Sequence, residues 1–183
     1  MKGSIVTYVL RLVVTLFLIT AFVAAALAGV NAIAEPMIQA HKAEKMQKAM
    51  EEVLPGAKDL ASVDFTDATG MVNTVYASAD GFVVEVAPSG FGGAISMMVG
   101  ILPDGTVKGI SVVSHTETAG LGSVAAAKTA AGEAFRGQFV GLSGVLAVDK
   151  DGGDIDSITS ATITSRAVVS GVNAALECVK NLG

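Results

Sequence analysis

Cysteine is almost absent from this chain of 183 residues, and tryptophan is wholly absent. The lone Cys178 can form no internal disulfide, and no Cys-x-x-Cys pair occurs. Iron–sulfur clusters, structural zinc and haem attachment therefore lose their usual ligands. A redox role would have to use an organic cofactor. Basic runs are missing too: 12 Lys and Arg face 17 Asp and Glu, for a net charge of −5. That removes nucleic acid as a partner class, because nothing is concentrated to neutralise phosphates. Only two histidines are present. His115 stands one residue from Glu117, and two such groups at one chain position are too few to predict a metal site. No residue is expected to act as an acid–base catalyst.

What is abundant is small and apolar. Half of the residues are hydrophobic, mostly Ala and Val, and 21 are glycine, which implies many tight turns and close backbone approaches. The length predicts one domain of ordinary size plus an apolar N-terminal segment. Leu12 to Ala34 carries no charge. At 1.5 Å per residue it reaches across a bilayer core of about 30 Å with some tilt. A cleavable signal peptide cut near Ala26-Leu27-Ala28 is the alternative. The apolar run is longer than a typical signal core, so a retained transmembrane anchor over 1–35 is expected, ended by Glu35-Pro36. Lys2 and Arg11 favour a cytoplasmic N-terminus, and Lys42, Lys45 and Lys48 beyond the segment weigh the other way.

Residues 36–56 are expected to form a juxtamembrane helix, with Met37, Ala40, Lys45, Met46, Ala49, Met50 and Val53 on a mixed apolar stripe, stopped by Pro55-Gly56. His41 is expected on its surface. Residues 57–183 are expected to form a single α+β domain with a mixed or antiparallel sheet and packed helices. Residues 57 to 70 read as an irregular connection. Strands are predicted over Met71–Ala77 and Phe82–Ala87, joined by Asp80-Gly81. Ala94–Leu102 is apolar enough for a strand buried on both faces. After Pro103-Asp104-Gly105, Thr106–Ser114 is the next strand. Gly122–Phe135 fits one helix, Val145–Val148 a short strand, and Ser165–Asn181 a last helix with Val168, Val172, Ala175, Leu176 and Val179 at helical spacing.

Three stretches could carry chemistry. Ser89-Gly90-Phe91-Gly92-Gly93 precedes a strand and lacks a following helix or Gly-Lys-Ser/Thr, so a nucleotide-binding loop of the standard kinds is disfavoured. His115-Thr116-Glu117-Thr118-Ala119-Gly120-Leu121-Gly122 joins a strand to a helix, either as a plain connection or as a loop whose backbone approaches a flat ligand. Asp156-Ser157-Ile158-Thr159-Ser160-Ala161-Thr162-Ile163-Thr164-Ser165 packs six hydroxyls into ten positions at the start of the last helix. One hydroxyl is enough for an N-cap, worth about 1 kcal/mol. The surplus, with Arg166 beside a positive helix end, also suits a bound phosphate.

The segment Asp156-Ser157-Ile158-Thr159-Ser160-Ala161-Thr162 resembles the flavinylation motif of the FMN-binding domain family: Asp, two variable residues, Ser or Thr, Gly, Ala, Thr. Gly90-Phe91-Gly92-Gly93, Val99-Gly100-Ile101 with Asp104-Gly105, and His115 to Gly122 resemble further signatures of that family in the same order. With the anchor, the whole chain is similar to the members that serve as the G subunit of Rnf electron-transport complexes, relatives of the C subunit of the sodium-pumping NADH:quinone oxidoreductase. Ser160 replaces the usual Gly, and Ala119 the usual Pro. The resemblance implies FMN joined through its phosphate to the Thr162 side chain by a separate flavin transferase acting outside the cytoplasm with FAD and Mg²⁺. It implies Ser160, Ala161, Thr164 and Ser165 around the phosphate, and Thr118, Gly120, Leu121 and Gly122 around the ring. The implied activity is electron carriage in a membrane complex coupling ferredoxin and NAD⁺ to Na⁺ or H⁺ transport, with other membrane and iron–sulfur subunits and the lipid bilayer as partners. An FMN domain serving a different extracytoplasmic reductase, or an anchored binding module without a redox group, are the rival readings.

Overall fold

The computed structural model describes residues 2–182, with side chains from residue 7 onward. The chain falls into two compact units, Met1–Glu44 and Lys45–Gly183. A single helix, α1 (Lys2–Val53), runs through both, with Pro36 inside it. The sequence pattern ends the membrane segment at Glu35-Pro36 and starts the juxtamembrane helix there, and the helix is continuous through that point. Proline lacks the N–H that would reach the carbonyl four residues back. Long helical stretches on both sides keep the remaining bonds, so the loss stays local.

In the first unit the apolar segment is long enough to cross a membrane, and its large side chains from Leu12 to Ile33 all point outward. Its hydroxyls are satisfied within the helix. Thr15 Oγ1 donates to the Arg11 carbonyl at 2.8 Å, and Thr20 Oγ1 to the Leu16 carbonyl at 3.0 Å. This is the arrangement a lipid-facing helix requires.

The second unit is built on a five-stranded antiparallel meander, β1 (Ala61–Val63), β2 (Val72–Ser78), β3 (Gly81–Val86), β4 (Ser96–Ile101) and β5 (Val107–Ser114), adjacent in chain order. β1 falls inside the stretch read as irregular. Three residues on a sheet edge are too few to show a period of two. β4 is buried on both faces, as its continuous apolar run predicts. Met97, Val99 and Ile101 meet the main core, formed with α3 (Thr162–Lys180) through Val168, Val172 and Ala175. Met98 turns to a second core with Val83 and with Ala49, Val53 and Leu54 from the end of α1.

That second face is shaped for the helix end. Gly100 and Gly109 are paired across β4 and β5, and Val53 lies over them. A Cβ on Gly100 would collide with the Val53 carbonyl oxygen and lie 2.8 Å from its carbonyl carbon, whereas one on Gly109 would meet Val53 at 3.5 Å. Glu52 completes the seat by accepting the hydroxyl of buried Ser111 at 2.7 Å. Gly100→Ala should therefore cost about 3 kcal/mol, because the obstructing atom is backbone and cannot rotate away. Thermal unfolding of the full chain in detergent should show a loss of roughly 6–12 °C. Gly109→Ala should change stability by less than about 0.5 kcal/mol. Equal shifts for the two variants would contradict this packing.

Two further expectations are corrected. Gly122–Phe135 is not one helix but a 3₁₀ turn, Gly122–Ala126, and a separate α2 (Ala130–Gly137). Thr129 caps α2 by accepting the Gly132 N–H, and Arg136 Nη1 holds the break by donating to the Ala125 and Ala127 carbonyls at 2.8 and 3.0 Å. Val145–Val148 is not a strand. Asn173 on α3 takes both backbone groups of Leu146, its Oδ1 accepting the N–H at 2.9 Å and its Nδ2 donating to the carbonyl at 2.8 Å. One amide side chain thus replaces a strand partner, and Val145 is left almost wholly exposed.

Candidate functional site

The hydroxyl-rich stretch leaves a folded loop and enters α3. The loop turns on a 3₁₀ turn, Asp149–Asp151, and closes through a parallel bridge between Val148 and Ile155. Its side chains hold the entry to the helix. Asp149 Oδ1 accepts the Ser157 N–H at 3.1 Å. Gln138 grips the backbone of Asp156 in both directions, accepting its N–H at 2.7 Å and donating to its carbonyl at 3.2 Å. Asp151 takes the Arg166 guanidinium in a two-point pair at 2.7 and 2.6 Å. Arg166, which the sequence pattern offers to a phosphate, is thereby matched to a carboxylate in the chain. Asp149, Asp151 and Gln138 carry no sequence signal for these roles, since each partner lies 8 to 18 residues away.

The Ser157 contacts hold the Asp149 carboxyl at about 2, below its ordinary 3.8. Ionised Asp149 therefore favours the folded loop above pH 3.8, and that contribution is lost as the pH falls toward 2. Asp149→Asn should flatten the fall of the urea midpoint across this window. An unchanged pH slope would remove Asp149 from the account.

Ser160 stands at φ +61, one of two non-glycine residues with a left-handed backbone among those described. The glycine that the resembled motif carries at this place suits that angle, which a Cβ disfavours by about 1–2 kcal/mol. Ser160→Gly should raise stability by roughly 0.5–1 kcal/mol, because glycine's extra unfolded-state entropy offsets part of the relief. A denaturant melt that shows Ser160→Gly to be destabilising would count against the strain.

α3 starts at Thr162, earlier than the spacing of its apolar positions implies, and its first turn closes by Ser165 N–H to the Ala161 carbonyl at 3.0 Å. The N-cap is Ala161, and no side chain caps the helix. The surplus hydroxyls go elsewhere. Ser165, fully buried, accepts the Ile158 N–H at 2.9 Å and donates to the Ala161 carbonyl at 3.1 Å. Thr164, also buried, donates to Glu117 Oε2. Both are expected around a phosphate on the motif resemblance, and both turn inward. Thr162 is half-buried, and among the described residues its hydroxyl has no hydrogen-bond partner. Among the described residues the first turn thus presents one unengaged hydroxyl, with uncapped N–H donors beside it. That combination accommodates a phosphoryl group at the Thr162 oxygen.

The other expected site residues converge from β5. Glu117 is a buried carboxylate whose Oε1 accepts the Gly92 N–H at 2.8 Å while Oε2 takes Thr164. Thr116 Oγ1 donates to the Gly92 carbonyl at 2.9 Å, and His115 Nδ1 accepts the Glu117 N–H at 3.2 Å. The glycine loop, the His115–Gly122 loop and the start of α3 therefore meet at one carboxylate. A Cβ on Gly122 would collide with both Glu117 Oε2 and Thr164 Oγ1. Leu121 and the Thr118 to Gly120 turn stay exposed beside this junction. Gly120 takes a left-handed φ of +76 and donates its N–H to Ser123 Oγ at 2.9 Å. Ser160 is exposed and Ala161 buried. Among the described residues no group of three or more metal-ligating side chains exists.

Residues 90–177 match the FMN-binding domain family. Over 180 residues the chain is 34% identical to the G subunit of the ion-translocating oxidoreductase complex of Methanosarcina acetivorans, covering 92% of this chain and 93% of the relative. It is 32% identical over 198 residues to the G subunit of the Na⁺-translocating ferredoxin:NAD⁺ oxidoreductase complex of Acetobacterium woodii, covering 95% and 93%. A third relative, the G subunit of the proton-translocating ferredoxin:NAD⁺ oxidoreductase complex of Clostridium ljungdahlii, is 44% identical over 102 residues, 54% of this chain and 52% of that protein.

Proposed function

Because this chain belongs to the G-subunit family of ion-translocating oxidoreductase complexes, we propose that it is the membrane-anchored FMN subunit of an Rnf-type complex. In this reading it carries electrons within ferredoxin:NAD⁺ transfer coupled to Na⁺ or H⁺ translocation, with FMN held covalently on Thr162. The observation that carries the attachment is the first turn of α3. It has no side-chain cap, and Thr162 alone of its hydroxyls is both accessible and unengaged among the described residues.

Thr162 Oγ would form a bond to the flavin-side phosphorus of FAD as the anhydride bond breaks. AMP leaves with the bridging oxygen, the hydroxyl proton passes to solvent, and no electron is transferred. A Mg²⁺-dependent flavin transferase supplies the catalysis. Ser160 and Ala161 put only small side chains beside the hydroxyl, and the N–H groups of the first turn offset the phosphoryl charge. Thr118, Gly120 and Leu121 form an exposed, backbone-rich edge against which a flat ring can rest, and Gly122, expected at the ring, is buried behind it against Glu117 and Thr164. Once bound, FMN supplies the electron chemistry, and the chain supplies place and electrostatics. A covalent link keeps the carrier loaded at any free-flavin concentration. In this reading the domain lies outside the cytoplasm, which Lys2 and Arg11 ahead of the apolar segment and a transferase that works there support.

The test is intact mass of the full chain after expression with the transferase, together with mapping of the peptide that holds Thr162. One added FMN less one water, located on Thr162, is the expected result. An unmodified mass, or a flavin mapped to another residue, would overturn the attachment.

A further inference from the structure

The geometry points to Glu117 as a positioning residue that fixes the first turn of α3 so that the Thr162 hydroxyl is presented for phosphoryl transfer. The inference rests on the Thr162 reading above. It concerns a residue that neither supplies the reacting oxygen nor lines the ring.

The first turn needs an external hold. It lacks a side-chain cap. The bonds of Ser165 go to Ile158 and Ala161, which fixes the turn to its own entry loop and to nothing beyond it. The Arg166–Asp151 pair also joins helix to loop, but about half of each side chain is exposed, where solvent and salt weaken its grip. Among the described residues Thr164 makes the one buried hydrogen bond from this turn to a distant part of the chain. Its hydroxyl reaches Glu117, 47 residues away in sequence.

Glu117 is itself held from several sides. Oε1 is fixed by the Gly92 N–H, the neighbouring Thr116 hydroxyl binds the Gly92 carbonyl, and the Glu117 N–H is accepted by His115. Gly122 closes the remaining side, too near for any Cβ. A carboxylate suits this place because it only accepts, and both groups facing it donate. Among the described residues Glu117 has no cationic partner. A buried charge satisfied only by neutral donors does little for stability, since its desolvation offsets much of what the bonds return. The positive end of α3 recovers part of that cost.

Direction is what the contact supplies. Successive residues on a helix are about 100° apart, so drawing Thr164 inward to Glu117 turns Thr162, two residues earlier, to the open side. Losing the tether frees the turn to rotate or fray while the rest of α3 stays packed. A displacement of about 1 Å at a reacting atom can lower a rate on the order of 10²-fold.

The test uses the full chain in detergent as acceptor, with FAD, Mg²⁺ and the transferase, and tracks mass gain at a temperature where melting curves show every variant folded. Thr164→Val, nearly isosteric, should lower kcat for modification by about 10²-fold, with KM for the chain unchanged. Glu117→Ala should do the same, and Thr164→Ser, which keeps the hydroxyl, should restore the wild-type rate. Faster amide hydrogen exchange at residues 162–164 in Thr164→Val, without change in the rest of α3, would support the same role independently of modification. A folded Thr164→Val that is modified at the wild-type rate overturns the inference and leaves the attachment reading intact. So does a Thr164→Ser as slow as the valine variant. Flavin uptake by Thr162→Ala would instead overturn the attachment reading, and this inference with it.

Discussion

Thr162→Ala should fold as the parent does and take up no covalent flavin. The two halves of that expectation have separate causes. Thr162 is the first residue of α3 and makes no side-chain hydrogen bond among the described residues. Alanine is a better helix former than threonine, so the stability change should stay within about 0.5 kcal/mol. Flavin uptake should vanish because no neighbouring hydroxyl can substitute. Thr164 and Ser165 are buried and already donate to Glu117 and to the Ala161 carbonyl. Freeing either would unpack the turn that presents it. Thr159 and Ser160 are exposed, but they precede the helix, and Ser160 is held in a left-handed turn. Thr162→Ser keeps the oxygen and should still be modified. The measurement is the intact mass of each variant after exposure to the transferase, beside its melting curve. A flavin increment on a folded Thr162→Ala would place the bond elsewhere, and failure of Thr162→Ser would show that the methyl group is required too.

The division among these hydroxyls was only half legible in the sequence. That six hydroxyls exceed the needs of one helix cap is arithmetic on residues 156–165, and the motif resemblance picks out Thr162. Which hydroxyls turn inward depends on where α3 begins, and the apolar spacing from Val168 onward does not fix that start. Ser160 was legible as a departure from glycine, but its cost appears only with the backbone angle. Glu117 was harder still. Beside His115 it is too weak a signal for a ligand or an acid, and its partners are Gly92 and Thr164, brought to it by the fold of the sheet.

The meander itself was largely readable, because β2 to β5 are long enough to show alternation or a continuous apolar run, with turn residues between β2 and β3 and between β4 and β5. The failures share one cause. At β1, at the Gly122–Ala126 turn and at Leu146, backbone groups are satisfied by a sheet edge, by Arg136 or by Asn173. The pairing strand and Asn173 lie outside a local window, and Arg136, one residue past the predicted helix, carries no signal that its side chain folds back. The same holds for the end of α1. Its apolar stripe was visible, but the paired glycines that receive it lie in two strands about 50 residues onward.

That seat decides where a soluble form of the domain can begin. A chain cut to residues 57–183, the boundary that Pro55-Gly56 suggests, should fail to fold or should aggregate, whereas 45–183 should unfold cooperatively. The shorter form loses Ala49, Val53 and Leu54, all nearly fully buried against Val83 and Met98. Val and Leu alone are worth about 1.5–3 kcal/mol each. Uncovering Val83 and Met98 adds a further amount of that order, and Ser111 loses Glu52. Together these approach the whole stability of an ordinary domain, about 5–15 kcal/mol. The exposed sheet face is also apolar enough to seek other chains. A helix of nine residues is too short to persist in water unaided, so residues 45–53 depend on the sheet as much as the sheet depends on them. Removing the membrane segment while keeping Lys45 onward leaves both partners in place. Circular dichroism melts and size-exclusion profiles of the two forms give the answer directly. If 57–183 is monomeric and melts where 45–183 does, the end of α1 is only a tether, and the Gly100–Gly109 seat contributes nothing to the fold.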